Sequence, residues 1–318
     1  MRRDRELPRV VALGGGHGLF QSLQALRRIT SDITAVVTVA DDGGSSGRLR
    51  REFDMLPPGD LRMALAALCG DDRDGRLWAE VLQSRFGGAG PLGGHAIGNL
   101  LLAGVWEQLR DPVEGLDMVA RLLDVHGRVL PMSNVPLEIE ADVLGLDPAD
   151  PAAPTLVRGQ ATVAKTTGEV RSVRLVPAVP PGCPQALTAI READWVILGP
   201  GSWFTSVLPH LLVPDLAAAL TETTARRCLT MNLVPAAETQ GYSPSAHLEV
   251  FADHAPGLRL DAIVVDPSFL EGDWRFVALA EKLGARVYVS TVRMSDGSPR
   301  HDSYRLAAAY ADVMGLVG

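Results

Sequence analysis

Cysteine is scarce in this chain. The three cysteines, Cys69, Cys183 and Cys228, are odd in number, far apart and never in C-x-x-C spacing. That argues against a disulfide framework or a zinc knuckle and suits a reducing compartment. Aromatic residues make up only 5% of the sequence, too few for the stacking platforms that hold single strands. Positive charge is in deficit, with a formal net charge of -8. Such a balance opposes non-specific binding of nucleic acid, which needs a cationic surface. No apolar run approaches the ~18 uninterrupted residues of a membrane span. Met1-Arg2-Arg3-Asp4-Arg5-Glu6 has charge but no apolar stretch of signal-peptide length. A cytoplasmic location is therefore expected. Two usual catalytic signatures, H-E-x-x-H and a Gly-Lys-Ser/Thr P-loop, are missing as well.

What is present is strand after strand ending in glycine. Val10–Leu13 runs into Gly14-Gly15-Gly16-His17-Gly18, and Thr34–Ala40 runs into Asp41-Asp42-Gly43-Gly44-Ser45-Ser46-Gly47-Arg48. Trp195–Leu198 runs into Gly199-Pro200-Gly201-Ser202. Short β-branched runs between helical stretches read as buried parallel strands. Helical spacing is found over Phe20–Ile29, Leu61–Leu68, Ile97–Leu109, Leu116–Asp124, Leu187–Glu192, Leu211–Leu220, Phe276–Leu283 and Arg305–Met314. Asp60, after Pro57-Pro58-Gly59, is placed to cap the second of these. Further strands are expected at Cys228–Asn232, Ala262–Val265 and Arg286–Val289. Residues 135–176 change character and read as an antiparallel lid or side sheet within one domain spanning 1–318. The expected fold is α/β, a doubly wound, mostly parallel Rossmann-like sheet with that small antiparallel excursion.

In such sheets ligands bind beyond the carboxyl ends of the strands. Gly14, Gly15, Gly16 and Gly18 would let backbone N–H groups approach a phosphate, though a tight turn against the sheet would use the same residues. Asp41 and Asp42 are placed for ribose hydroxyls or for a water-bridged Mg²⁺, or for capping a turn. Ser45, Ser46 and Arg48 add donors suited to phosphate. His95 and Asn99 follow the glycine-dense loop 87–94; His95 reads as a loop histidine as readily as a general base. Gly199, Gly201 and Ser202 form a third cradle.

These runs, with L-P-P-G-D-L-R (Leu56–Arg62), G-H-A-I-G-N-L-L-L-A (Gly94–Ala103), A-E-T-Q-G-Y-S (Ala237–Ser243) and R-H-D-S (Arg300–Ser303), resemble the YvcK-type gluconeogenesis-factor family. That family is related to the CofD phospholactate transferases. The resemblance implies a regulator without turnover that binds a UDP-sugar, notably UDP-N-acetylglucosamine, and serves cell shape and wall synthesis on gluconeogenic carbon sources. It places Arg300 at the ligand and makes Ser303 the counterpart of a site phosphorylated by a Ser/Thr kinase. It implies wall-synthesis proteins as partners and leaves oligomeric state open. The alternative it carries is a CofD-like, Mg²⁺-dependent transfer of a phosphate-bearing group from a nucleotide donor. His17, Met63 and Ala96 depart from the usual Thr, Asn and Ser, and Ser303 replaces threonine.

Overall fold

The structure is a computed structural model that describes residues 7–316, so the charged N-terminal run read above lies outside the described residues. Seven strands form one sheet: β1 (Val10–Gly14), β2 (Ile33–Val37), β3 (Arg128–Pro131), β7 (Trp195–Leu198), β8 (Arg226–Thr230), β9 (Ala262–Val265) and β10 (Arg286–Val289). Their order is β10-β9-β8-β7-β1-β2-β3, and every pairing is parallel. β1, β7 and β9 are buried along their whole length. That requires cover on both faces and explains their continuous apolar composition.

The chain order reverses beside β1. From β1 the chain goes to β2 and β3 on one side, and β7 to β10 fill the other. A crevice opens at such a reversal, beyond the strand ends. Leu13 pairs with Leu198, so the glycine turns after β1 and β7 lie next to each other. The floor beneath them is tied by hydroxyls. Tyr310 Oη is 2.6 Å from Ser22 Oγ and 2.9 Å from Thr230 Oγ1, and Ser22 Oγ donates to the Gly199 carbonyl at 3.1 Å.

The antiparallel excursion is present. β4 (Glu138–Leu144) lies between β5 (Thr155–Arg158) and β6 (Glu169–Val176). β4 alternates buried and half-buried residues, the period of a sheet with one covered face.

Three local expectations change. The Gly43–Gly47 run, read as a ligand loop, opens a helix, Gly44–Phe53; its glycines and serines form the first turn, and the Arg-Leu-Arg-Arg run carries it on. The helix expected at Leu211–Leu220 is interrupted at Val213: Leu211 and Leu212 close a 3-10 turn (Leu208–Leu212) that follows a π turn (Trp203–Val207), and a helix runs from Pro214 to Glu222. Pro214 has no N–H to continue the helix and pushes Val213 to extended backbone. Asp60 is not an N-cap, because the helix starts two residues earlier at Pro58, where the missing proline N–H is no loss.

Candidate functional site

A cleft of about 480 Å³ opens at the β1/β7 reversal. His17 and Gly18 line it from the first turn, Gly201 and Ser202 from the second, and Asn232 to Ala236 from the segment after β8. Arg300 and His301 close it from the far end of the sequence, and Met63 and Gln83 from the helices beside it. A Cβ on Gly18 would fall 2.1 Å from the Pro200 carbonyl oxygen. Gly18 therefore permits the two turns to touch, which is a packing role. Gly16 has φ +56, the left-handed backbone that glycine adopts freely. Gly14 ends the strand, and its carbonyl accepts the Thr38 N–H at 3.0 Å.

The second group of expected site residues lies beside the cleft and is not part of its lining. Here the structure separates the two aspartates. Asp42 turns toward the small sheet, where its Oδ1 accepts the Ala161 N–H at 2.8 Å. Asp41 accepts the Gly43 N–H at 2.9 Å through Oδ1 and points its other oxygen inward. A Cβ on Gly59 would lie 2.7 Å from Asp41 Oδ2 and 2.4 Å from Ser46 Oγ. On the far side, a Cβ on Gly15 would lie 2.5 Å from Asp60 Oδ2 and 2.4 Å from Thr38 Cγ2. Asp41 is near enough for its charge to act on Asp60. Asp60 keeps some surface, yet protein rings it. That desolvation, with the Asp41 charge second, pushes its pKa up to about 7, against the lowering influence of the Gly16 N–H and Arg62. Burial likewise raises Asp41. Thr38 Oγ1 and Ser46 Oγ are buried beside this pair without a hydrogen-bond partner. Ser46 lies against Asp41 but outside hydrogen-bond geometry.

Ser45 is fully engaged. Its hydroxyl accepts the Ala96 N–H at 3.3 Å and the Asn99 Nδ2–H at 3.0 Å, and meets His95 Nδ1 at 3.0 Å. A hydroxyl has one proton and two lone pairs, so Ser45 donates to Nδ1 and His95 carries its proton on Nε2. Burial first, then Arg48, lowers the His95 pKa, which keeps that neutral tautomer. Arg48 donates to the Gly93 carbonyl at 3.0 Å and clamps the glycine-dense loop. Ser45, Arg48, His95 and Asn99 hold the wall together, and the Ser45 hydroxyl has no bonding capacity left for a phosphate. Asn99 Oδ1 alone of this set is buried and unpaired.

The turn after β7 is closed in the same way. Asn232 Oδ1 accepts the Gly201 N–H at 2.9 Å, and its Nδ2 donates to the Gly201 carbonyl at 2.8 Å. The Gly199 N–H bonds to Leu13 in the sheet. From sequence, Asn232 and Glu238 carry no site role, and Asp60 only that of a helix cap. The available signal was a polar residue at a strand's carboxyl end for Asn232, and single acids inside apolar runs for the other two.

The bond between Asp42 and the Ala161 N–H latches the small sheet's helical turn and can be tested directly. Asp42→Ala should remove one charge-assisted bond, about 1.5–3 kcal/mol of local restraint. Hydrogen exchange should then rise at residues 159–163 and stay unchanged in the seven-stranded sheet. Equal protection at 159–163 would show that the latch carries no restraint.

Comparison with known proteins gives a consistent picture. The family model for 2-phospho-L-lactate transferase CofD matches residues 10–276. A relative from Mycobacterium tuberculosis H37Rv is 58% identical over 309 residues, covering 96% of this chain and 90% of the relative. The gluconeogenesis factor of Halalkalibacterium halodurans is 40% identical over 257 residues, 80% of this chain and 76% of that protein. That of Listeria monocytogenes is 34% identical over 315 residues, 95% and 94%. A crystal structure of a UPF0052-family protein from Bacillus halodurans matches with TM-score 0.85 at 34% identity, covering 96% of this chain and 99% of that one.

Proposed function

The chain belongs to the gluconeogenesis-factor family of CofD-like proteins, and from that premise we propose that it is a UDP-sugar-binding regulator, with UDP-N-acetylglucosamine as the ligand. The observation that carries this reading is the position of Arg300. The Arg300 guanidinium, about 280 residues after the first glycine turn, lines the same cleft as the glycine turns after β1 and β7. Guanidinium and diphosphate match in charge and in fork geometry. The cellular role in shape and wall synthesis on gluconeogenic carbon comes from the family resemblance, and the cytoplasmic setting from the cysteine usage. No single described helix is long and apolar enough to cross a membrane.

Calorimetry with UDP-N-acetylglucosamine, UDP-glucose and UDP tests the ligand. Tighter binding of a UDP-sugar than of UDP, with no nucleotide released, supports the reading; binding of none of the three overturns it. Ser303 is the first residue of the helix Ser303–Val313 and is partly exposed, three positions from Arg300. A phosphate there would suit the helix N-terminus and compete for Arg300. Ser303→Glu is expected to weaken UDP-sugar binding several-fold at unchanged stability. Unchanged affinity would remove the regulatory role of that hydroxyl.

A second reading, the Mg²⁺-dependent transferase, is favoured by the Asp41–Asp60 pair. Two carboxylates with raised pKa and two orphaned hydroxyls are hard oxygen donors that fit a hydrated divalent cation. Such an ion would supply charge stabilisation for transferring phosphoryl oxygens. Affinity that collapses in EDTA, together with release of nucleotide, would favour this reading.

A further inference from the structure

Ser202 lines the cleft and stands immediately before the π turn Trp203–Val207. Its hydroxyl bonds to the Glu238 carboxylate and to the Thr205 hydroxyl. Glu238 is 2% exposed. Burial raises its pKa, while the Ser202 hydroxyl and the backbone N–H groups of Glu238, Phe204 and Trp203 draw it back down. A carboxylate supplied by the chain itself therefore occupies the start of this turn, where an anionic ligand would otherwise be received. The neighbouring Gly201 N–H is taken by Asn232. A phosphate finds few free donors on this wall.

Counting protons gives the polarity of what remains. A serine hydroxyl has one proton and two acceptor sites, and an ionised carboxylate only accepts. The Ser202 proton goes to Glu238. The Thr205 hydroxyl, which also has one proton, then donates to Ser202. One lone pair of Ser202 is left, and no proton. We propose that Ser202, its proton committed to Glu238, faces the cleft as a hydrogen-bond acceptor and recognises a hydroxyl of the bound ligand, on its ribose or its sugar, in preference to a phosphate. This rests on reading the cleft as a nucleotide-sugar site. Glu238 is then a positioning residue that acts through Ser202.

The test uses Glu238→Gln and Ser202→Ala with UDP-N-acetylglucosamine and its monodeoxy analogues at each ribose and sugar hydroxyl. The glutamine keeps the shape and an oxygen for the backbone N–H groups. Its Nε2 donates, which frees the Ser202 proton to turn outward. In wild type, one deoxy analogue should bind about tenfold more weakly, and its position identifies ribose or sugar as the source. In Ser202→Ala the parent ligand should bind about tenfold more weakly and the deoxy penalty should vanish; in Glu238→Gln, where the outward Ser202 proton displaces the donor role of the ligand hydroxyl, the parent should bind more weakly and the penalty should shrink. A uniform loss for all ligands, with the penalty retained, would make Glu238 merely structural and overturn the proposal. Difference infrared spectra of the ligand-free protein give a readout independent of any ligand. The carboxylate band, identified by its loss in Glu238→Gln, should shift in Ser202→Ala, and an unshifted band also overturns the proposal. If wild type binds no UDP-sugar while the band shifts, the nucleotide-sugar reading falls and the acceptor assignment stands.

Discussion

Arg300→Ala should weaken UDP-sugar binding by at least ten- to a hundredfold while leaving the ligand-free protein as stable as wild type. The two halves of this expectation have separate causes. The side chain is 66% exposed and makes only a 3.3 Å bond to Ser298 Oγ and a 3.5 Å contact with Asp296. Exposed pairs of this kind contribute about 0–1 kcal/mol. The backbone bond that shapes the loop, from the Met294 N–H to the Arg300 carbonyl at 2.9 Å, survives truncation. In the complex the guanidinium would face a diphosphate. Charge-assisted bonds of that class contribute roughly 1.5–3 kcal/mol, which gives the stated loss. Arg300→Lys should recover only part of it, because an ammonium has the charge without the planar fork. Calorimetry and thermal melting of the three proteins decide the matter. Undiminished affinity in Arg300→Ala would detach the family's ligand from this chain and move the transferase reading to first place.

Arg300 was found only through its family motif. As a sequence feature it is one arginine in a polar loop, and nothing local directs it to glycine turns some 280 residues earlier. The turns themselves were legible. Apolar β-branched runs that stop at glycine mark the carboxyl ends of parallel strands, and β1 and β7 run as those residues indicate. The helix Ile97–Leu109 and the antiparallel excursion were legible for the same reason, a clear period.

Partnerships across the fold were not legible. Asp41 and Asp42 are adjacent and identical in chemistry, so sequence treats them alike. The fold sets one near Asp60 and bonds the other to Ala161, 119 residues away. Ser45 reads as a phosphate donor until His95, Ala96 and Asn99, 50, 51 and 54 residues on, take its whole bonding capacity. Ser202 is likewise defined by Glu238, 36 residues later. The pattern is general: glycine and period are local signals, but whether a hydroxyl or carboxylate is free depends on what tertiary packing brings to it.

Asp60→Asn should stabilise the ligand-free protein, and the gain should grow with pH. The sign follows from linkage. The folded pKa of about 7 lies above the ordinary 3.8. Between those values the folded chain holds a proton that the unfolded chain has released. Wild type therefore loses stability as pH rises from about 4 to about 7, and the loss is complete above that. Asparagine mimics the protonated carboxyl and carries no charge beside Asp41, so it escapes the loss. Full conversion of the shift would overstate the gain, since Asp60 is partly exposed and shares its repulsion with Asp41. A gain on the order of 1–3 kcal/mol above pH 7 is expected. His210 and His301 act in the opposite sense. Burial pushes their pKa values down to about 4, so they destabilise the fold as pH falls from 6.5 toward 4. The quantity to measure is therefore the difference between Asp60→Asn and wild type, by urea unfolding in EDTA from pH 4 to 8. A difference that does not change with pH would mean that the pair is not desolvated. Adding Mg²⁺ then separates the two functional readings at the same residue. If a cation seats between Asp41 and Asp60, wild type should regain its lost stability above pH 7 and Asp60→Asn should not respond.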